Sequence, residues 1–217
     1  MLAMKLTQYA NRDDVIVLGL PRGGVPVAFE VAKKLNAPLE PLVVRKLGIP
    51  GERELAMGAI ASGNVRVLSE DVVRGPGIAQ EIVDAVTAAE KQELKRREQL
   101  YRGHRPAPAI KGKTVLLIDD GIATGLSLRA AIEALRQQSP ARLVVAVPTA
   151  SPSSYRVISR EVDELVALMA PEDFFGVGQF YEDFVQVTDA EVARLLGQAS
   201  ASKRQLVRPQ KAPSHRR

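Results

Sequence analysis

The chain has 217 residues and carries 30 Lys and Arg against 25 Asp and Glu, a formal net charge of +5. It contains no cysteine, no tryptophan and only two histidines, His104 and His215. That composition excludes a disulfide framework, a thiolate metal centre, a cysteine nucleophile and a multi-histidine metal site. An aromatic content of 4% leaves little for a base-stacking platform. No apolar run approaches the ~18 residues of a membrane span, the stretch MLAMKLTQYANRDD shows no long apolar h-region and no small-residue cleavage site, and a cytoplasmic protein without membrane contact is expected.

The charge is unevenly placed. Residues 198–217 hold Lys203, Arg204, Arg208, Lys211, Arg216 and Arg217 and no acid, so residues 1–197 carry −1. With Pro209 and Pro213 and no apolar periodicity, this tail is expected to be disordered. It is also the one part of the chain expected to offer nucleic acid a contact. A single domain over 1–197 is expected to precede it.

In chain order, Val15–Leu18 reads as a first strand, followed by the turn Gly19-Leu20-Pro21-Arg22-Gly23-Gly24. A helix is predicted from about Pro26 to Leu35, with Pro26 in its first turn and Val27, Val31 and Leu35 on one face. Leu42-Val43-Val44 reads as the second strand, and residues 47–54 as a mobile loop. Met57–Ala61 and Val65–Leu68 flank Ser62-Gly63-Asn64, a hairpin. A long helix from about Ala79 to Leu100 follows Gly75-Pro76-Gly77, with its charged 90–102 end in solvent. Val115–Ile118 is the next strand, leading through a polar turn into a helix to about Gln138, striped by Leu128, Ala131, Ile132 and Leu135. Leu143–Val147 and Leu165–Met169 are further strands. Thr188-x-x-Glu191 is a capping box for a last helix ending near Gly197. Strands alternating with helices, each strand apolar throughout, define an α/β fold with a mainly parallel sheet flanked by helices. Ligands of such sheets gather at the carboxyl ends of the strands.

The segment IDDGIATGLS, residues 118–127, lies at that edge. A buried strand delivers Asp119 and Asp120, then a glycine-bearing turn opens a helix. The unpaired N–H groups of the turn and the helix dipole favour an anion. Gly121 and Gly125 permit close approach, and Thr124 and Ser127 add hydroxyl donors. The carboxylates repel a phosphate but suit sugar hydroxyls, directly or through Mg²⁺, so the segment fits a sugar phosphate. The same pattern also occurs at an ordinary strand–loop–helix junction with an Asp cap. The P-loop is excluded because Leu126 follows Gly125, and a nucleophile elbow because Ser127 lacks its second glycine.

VLLIDDGIATG resembles the 5-phosphoribosyl 1-pyrophosphate (PRPP) signature of the type I phosphoribosyltransferases, and GLPRGGVPVA resembles the pyrophosphate loop of the same family. RKLGIPGERELAMGAIA and the YRG-x-RP segment at Tyr101–Pro106 are similar to stand-alone bacterial members. The resemblance covers about residues 12–190. It implies the type I phosphoribosyltransferase fold, with a small hood and a flexible loop. It implies that Asp119 and Asp120 hold the ribose hydroxyls, that Ala123, Thr124, Gly125, Leu126 and Ser127 bind the 5-phosphate, mostly through backbone N–H groups, and that Gly121 and Ile122 belong to the PRPP-binding segment. Arg22, Gly23 and Gly24 are implied to bind pyrophosphate, with Arg45 and Lys46 joining them by position. Asp119, Asp120, Arg22 and Lys46 are the residues expected to carry catalysis. A cis peptide between Pro21 and Arg22 is also implied, as are a closing loop at 47–61 and a hood at Pro171–Asp183 that receives the nucleophile.

The resemblance further implies a Mg²⁺-dependent transfer from PRPP to a small nitrogenous base, with pyrophosphate released, in a homo-oligomer. The acidic pair is the candidate for any direct metal contact. The alternative from the same resemblance is a PRPP-binding regulator whose basic tail contacts nucleic acid. Two departures stand out. Ala123 occupies a position where 6-oxopurine enzymes carry a base-contacting Asp, which argues against a hypoxanthine–guanine acceptor. The amino terminus before Val15 is also short for the family. The acidic pair is expected to be open to solvent without ligand.

Overall fold

The computed structural model describes residues 1–63, 65–69, 72–73, 77–103 and 105–206, with 52–55 and 202–206 described by backbone alone. The central sheet comprises β1 (Val15–Gly19), β2 (Leu39–Pro41), β6 (Thr114–Ile118), β7 (Arg142–Thr149) and β8 (Glu164–Met169). Its order is β2-β1-β6-β7-β8, and every pairing is parallel. Every residue of β1 and β6 is buried, as strands covered on both faces must be.

Alternate strand residues feed two cores. Val15, Val17, Leu116 and Ile118 pack with Val31, Leu35, Val192 and Leu196. These contacts cover one face with α2 (Gly24–Leu35) and α6 (Asp189–Leu206), joined by α1 (Leu2–Lys5) and α3 (Gln80–Arg102). Ile16, Leu18, Val115 and Leu117 pack on the other face with Leu128, Ile132, Leu135 and Ile158, from α4 (Leu126–Gln137) and α5 (Pro152–Ile158). The side-chain period of two splits each strand between the faces. At the amino edge, the Tyr9 hydroxyl donates to Glu164 at 2.5 Å, and Arg142 donates to both the Tyr9 oxygen and Glu164.

The second strand differs from expectation. Leu39–Pro41, not Leu42–Val44, pairs with Val17–Gly19. Leu42 and Val43 are buried in the crossing to a second sheet. That sheet is antiparallel, ordered β3 (Val44–Ile49), β4 (Glu52–Ala61), β5 (Val65–Leu68). It replaces the mobile loop predicted over 47–54: Leu47, Met57 and Ile60 are buried in the main core. Ala61, Val65 and Val67 pack on Ala134 of α4. Its pairing slips on both sides of Gly48, so the regular ladder gives way towards the tip. Asn64 of the expected hairpin turn lies outside the described residues.

The last helix also differs. Thr188 caps it as expected, its Oγ1 accepting the Glu191 N–H at 3.2 Å. The helix does not stop at Gly197 but continues to Leu206, so the boundary expected between domain and tail falls inside a helix. Residues 207–217 lie outside the described residues. No helix among the described residues is long and apolar enough to cross a membrane.

Candidate active site

The chain reverses direction across the sheet between β1 and β6. From β1 it moves to β2 on one side, and from β6 to β7 on the other. Loops leaving two such adjacent strands diverge and open a crevice at their carboxyl ends. Gly19 and Ile118 are paired across these strands, and the Leu20 N–H donates to the Ile118 carbonyl at 3.0 Å. The turn at 20–23 and the acidic pair at 119–120 therefore leave the sheet side by side.

The packing between them is tight. A side chain at Gly23 would collide with the Asp120 carboxylate. A Cβ at Gly24 would stand 2.7 Å from the Ile118 carbonyl and 2.8 Å from the Asp119 Cα. The peptide between Pro21 and Arg22 is cis, as expected. Arg22 is half-buried, and its guanidinium has no hydrogen bond or ion pair to any described residue.

Asp119 and Asp120 are half-buried, less open than expected. The Asp119 Oδ1 accepts the Asp120 N–H at 3.0 Å, and neither carboxylate has a cationic partner among the described residues. Burial, reinforced by the neighbouring Asp120 charge, raises the Asp119 pKa well above the usual range. Burial raises that of Asp120 as well. A pair that resists ionisation in the free protein is poised for donors or a cation brought by a ligand.

Beyond the pair, Ile122 is buried. Its N–H donates to the Thr149 carbonyl at 2.9 Å and its carbonyl accepts the Ser151 N–H at 2.8 Å. The Ile122 N–H and carbonyl are therefore both committed to the neighbouring strand and the turn that follows it. The N–H groups of Ala123, Thr124, Gly125, Leu126 and Ser127 have no partner among the described residues. Gly125 reaches φ 73 to open α4, a conformation glycine adopts at little cost. Five unpaired N–H groups at a helix start form an anion cradle.

The other two predicted pyrophosphate contacts lie on β3. Arg45 points to α3, its Nε 2.6 Å from Glu90, so this guanidinium is already paired. Lys46 is exposed on β3, its ammonium without a partner among the described residues. Leu47–Ala61 is a hairpin with a buried base, and among its described side chains those around Pro50 and Gly51 at the tip are the exposed ones. The side chains of Glu52, Arg53 and Glu54 lie outside the described residues.

The YRG-x-RP segment serves as a clamp. Tyr101 donates to Asp189 at 2.6 Å. Burial and that carboxylate push its pKa up to about 12. Arg102, buried, donates to Glu40 and to the Pro41 carbonyl, and Arg105 to Glu40 and Ser200. His104 lies outside the described residues.

The hood segment reaches the site by contacts that the sequence pattern did not single out. The Tyr181 hydroxyl donates to the Asp120 carbonyl at 2.7 Å. Val177 covers Gly121, where a Cβ would stand 2.6 Å from Cγ1. Phe174 and Phe180 stack with centroids 5.6 Å apart, while Phe175 is 88% exposed. Ser151 and Ser154 also escaped notice, although both donate to the Ala123 carbonyl, at 2.8 and 2.6 Å. The run Thr149-Ala150-Ser151-Pro152-Ser153-Ser154 at a strand end was their one signal.

A five-stranded parallel sheet with its crevice at the β1/β6 reversal, an acidic pair, an anion cradle and a hood has the type I phosphoribosyltransferase fold. The chain belongs to the phosphoribosyl transferase family: the family's phosphoribosyl transferase domain matches residues 1–184. It is 46% identical over 198 residues to provisionally named phosphoribosyl transferases of two Mycobacterium tuberculosis strains, CDC 1551 and H37Rv. The alignment covers 91% of this chain but 44% of those relatives, so the chain spans less than half their length. The crystal structure of TT1426 from Thermus thermophilus is 42% identical with a TM-score of 0.80, over 91% of this chain and 93% of that one.

Proposed function

We propose that this protein transfers the 5-phosphoribosyl group of PRPP to a nitrogenous base and releases pyrophosphate. The observation that carries the reading is the meeting of Gly23 and Gly24 with Asp119 and Asp120 at one sheet edge. The loop after β1 carries a guanidinium, Arg22, and the loop after β6 five N–H groups, none with a partner among the described residues, and the carboxylates stand where the two loops touch. A ligand with two anionic ends and hydroxyls between them complements that order of charges.

In the reaction, the bond from C1 to the pyrophosphate oxygen breaks and a bond from C1 to the base nitrogen forms. The proton of the base nitrogen leaves to solvent. Arg22 and Lys46 neutralise charge gathering on the leaving pyrophosphate, while the cradle fixes the 5-phosphate and so the position of C1. Asp119 and Asp120 orient the ribose through its hydroxyls, and the hairpin tip excludes water from the reacting carbon.

Mg²⁺ fits these residues. No group of three or more metal-ligating side chains gathers among the described residues. Mg²⁺ nevertheless binds through one or two carboxylates, substrate phosphates and water, and Asp119 and Asp120 have no cationic partner among the described residues. When bound, it would supply positive charge at the phosphates.

Pyrophosphate release from PRPP, followed across purines, pyrimidines and nicotinate-like bases with Mg²⁺, tests the proposal. Release dependent on one base class is expected. A protein that fails to bind PRPP by calorimetry would overturn it.

A further inference from the structure

We infer that Ser151 and Ser154 are positioning residues that aim the anion cradle by holding the Ala123 carbonyl from behind. The inference rests on the reading of 123–127 as the 5-phosphate site. A loop with unpaired N–H groups must be held by something else, because those groups do not hold one another. Here the holding is done on the opposite side of the peptide planes. The Ala123 carbonyl accepts both serine hydroxyls, Oγ of Ser151 at 2.8 Å and Oγ of Ser154 at 2.6 Å. The Ala123–Thr124 peptide is not cis, and in a planar trans peptide the N–H points away from the carbonyl. Tying the Ala123 carbonyl towards α5 therefore turns the Thr124 N–H away from α5 and into the cradle.

One residue earlier the logic repeats. The Ile122 carbonyl accepts the Ser151 N–H, which turns the Ala123 N–H the same way. Ile122 is bridged to Ala150 in parallel fashion, so the end of β7 extends as a splint along the loop. The hydroxyls are themselves constrained. Ser154 is buried, and Ser151 caps α5, its Oγ accepting the Ser154 N–H at 3.3 Å. Neither serine is assigned to the ligand, and each acts through a carbonyl that faces away from it.

The consequence is selective. Removing the hydroxyls should loosen the 5-phosphate end and leave the Arg22 end untouched, because Arg22 leaves β1 on a separate loop. The probes are ribose 5-phosphate for the cradle and inorganic pyrophosphate with Mg²⁺ for the Arg22 end, measured by calorimetry on the full chain. Ser151→Ala/Ser154→Ala is expected to weaken ribose 5-phosphate about tenfold, with pyrophosphate unchanged within twofold. Ser154→Ala alone, which keeps the α5 cap, is expected to show a smaller loss of the same kind. Ser151→Thr, which retains a hydroxyl and a cap, should bind as the wild type does. Equal affinity for ribose 5-phosphate in a folded double variant would overturn the inference, as would a parallel loss of both ligands in the single and double variants. Absence of ribose 5-phosphate and pyrophosphate binding in the wild type would instead overturn the site reading beneath it.

Discussion

Gly23 and Asp120 are packed so closely that the glycine has no room for a methyl group on the side facing the carboxylate. The two residues come from different loops, and their contact joins the pyrophosphate-like turn to the acidic pair. Gly23→Ala is predicted to push the Asp120 side chain aside, which costs little in folding because a side chain can rotate. PRPP affinity should fall by at least about tenfold, roughly 1.4 kcal/mol. Gly24→Ala meets backbone instead, at Ile118 and Asp119, and should destabilise the fold by about 1–3 kcal/mol as overpacking does. Denaturant melts of the two variants, with calorimetry of the first, check this division. Comparable stability losses would refute it.

The acidic pair should oppose stability while serving affinity. Its folded pKa values are raised, chiefly by burial. A carboxyl with a raised folded pKa holds its proton more tightly when folded, so the fold gains as pH falls through the titration. That gain is lost as pH rises above the unfolded value of about 3.9 and through the folded one. Asp119→Asn, which can still accept the Asp120 N–H, is therefore predicted to raise the melting temperature of the ligand-free protein at pH 8. A gain of about 1 kcal/mol, or about 2–4 °C, is expected at this chain length. The advantage should shrink as pH approaches about 4. The same change should cost PRPP about 10- to 100-fold in affinity. A variant less stable than wild type at pH 8 would contradict the raised pKa.

Helix α6 makes the carboxyl end divisible at a place the sequence concealed. Ala199 packs against the main core and Ser200 accepts from Arg105 at 2.6 Å. Truncation after Gly197 should thus cost about 1–2 kcal/mol in lost packing and hydrogen bonding. Truncation after Leu206 should leave both stability and PRPP affinity within twofold. Thermal melts of the two truncated chains decide the point, and equal melting temperatures would show that 198–206 contributes nothing to the fold.

The hairpin tip is separable from its base. Leu47 and Met57 anchor β3 and β4 in the core, so replacing Gly51-Glu52-Arg53-Glu54 by a Gly-Ser link should leave the fold in place. PRPP affinity is expected to stay near wild type while transfer falls about 100-fold, roughly 2.7 kcal/mol of barrier. Unchanged turnover would mean that another segment covers the reacting carbon.

Much of this was legible in the residues, for physical reasons that also mark the limits. Val15–Leu18, Val115–Ile118 and Leu143–Val147 are continuous apolar runs, and a strand buried on both faces has to look so. The meeting of the two loops followed from placing both at strand ends. The second strand was misplaced because Leu42-Val43-Val44 is apolar, whereas Leu39–Pro41 is an edge strand whose identity depends on pairing with β1. Residues 47–54 read as a loop because Gly48, Pro50, Gly51 and charges dominate them; antiparallel pairing with β4 overrides that local preference. Gly197 imitates a helix stop, yet it is exposed with open space around it, and packing of the following turn carries the helix past it. α1 and α5, with 4 and 7 residues, are too short for periodicity to register. The serine contacts to Ala123 are tertiary and leave no spacing to detect.

The bond from Tyr181 to the Asp120 carbonyl has an optical consequence. The chain has no tryptophan and four tyrosines, so its near-ultraviolet emission is tyrosine emission alone. Tyr9 and Tyr101 donate to the carboxylates of Glu164 and Asp189, an arrangement that dims a phenol by drawing its proton in the excited state. Tyr155 lies on α5 and packs against the second core. Tyr181 alone joins its chromophore to the backbone of the site. Tyrosine emission thus becomes a built-in reporter of that edge of the sheet. A titration needs no dye or label, and Tyr181→Phe supplies its blank.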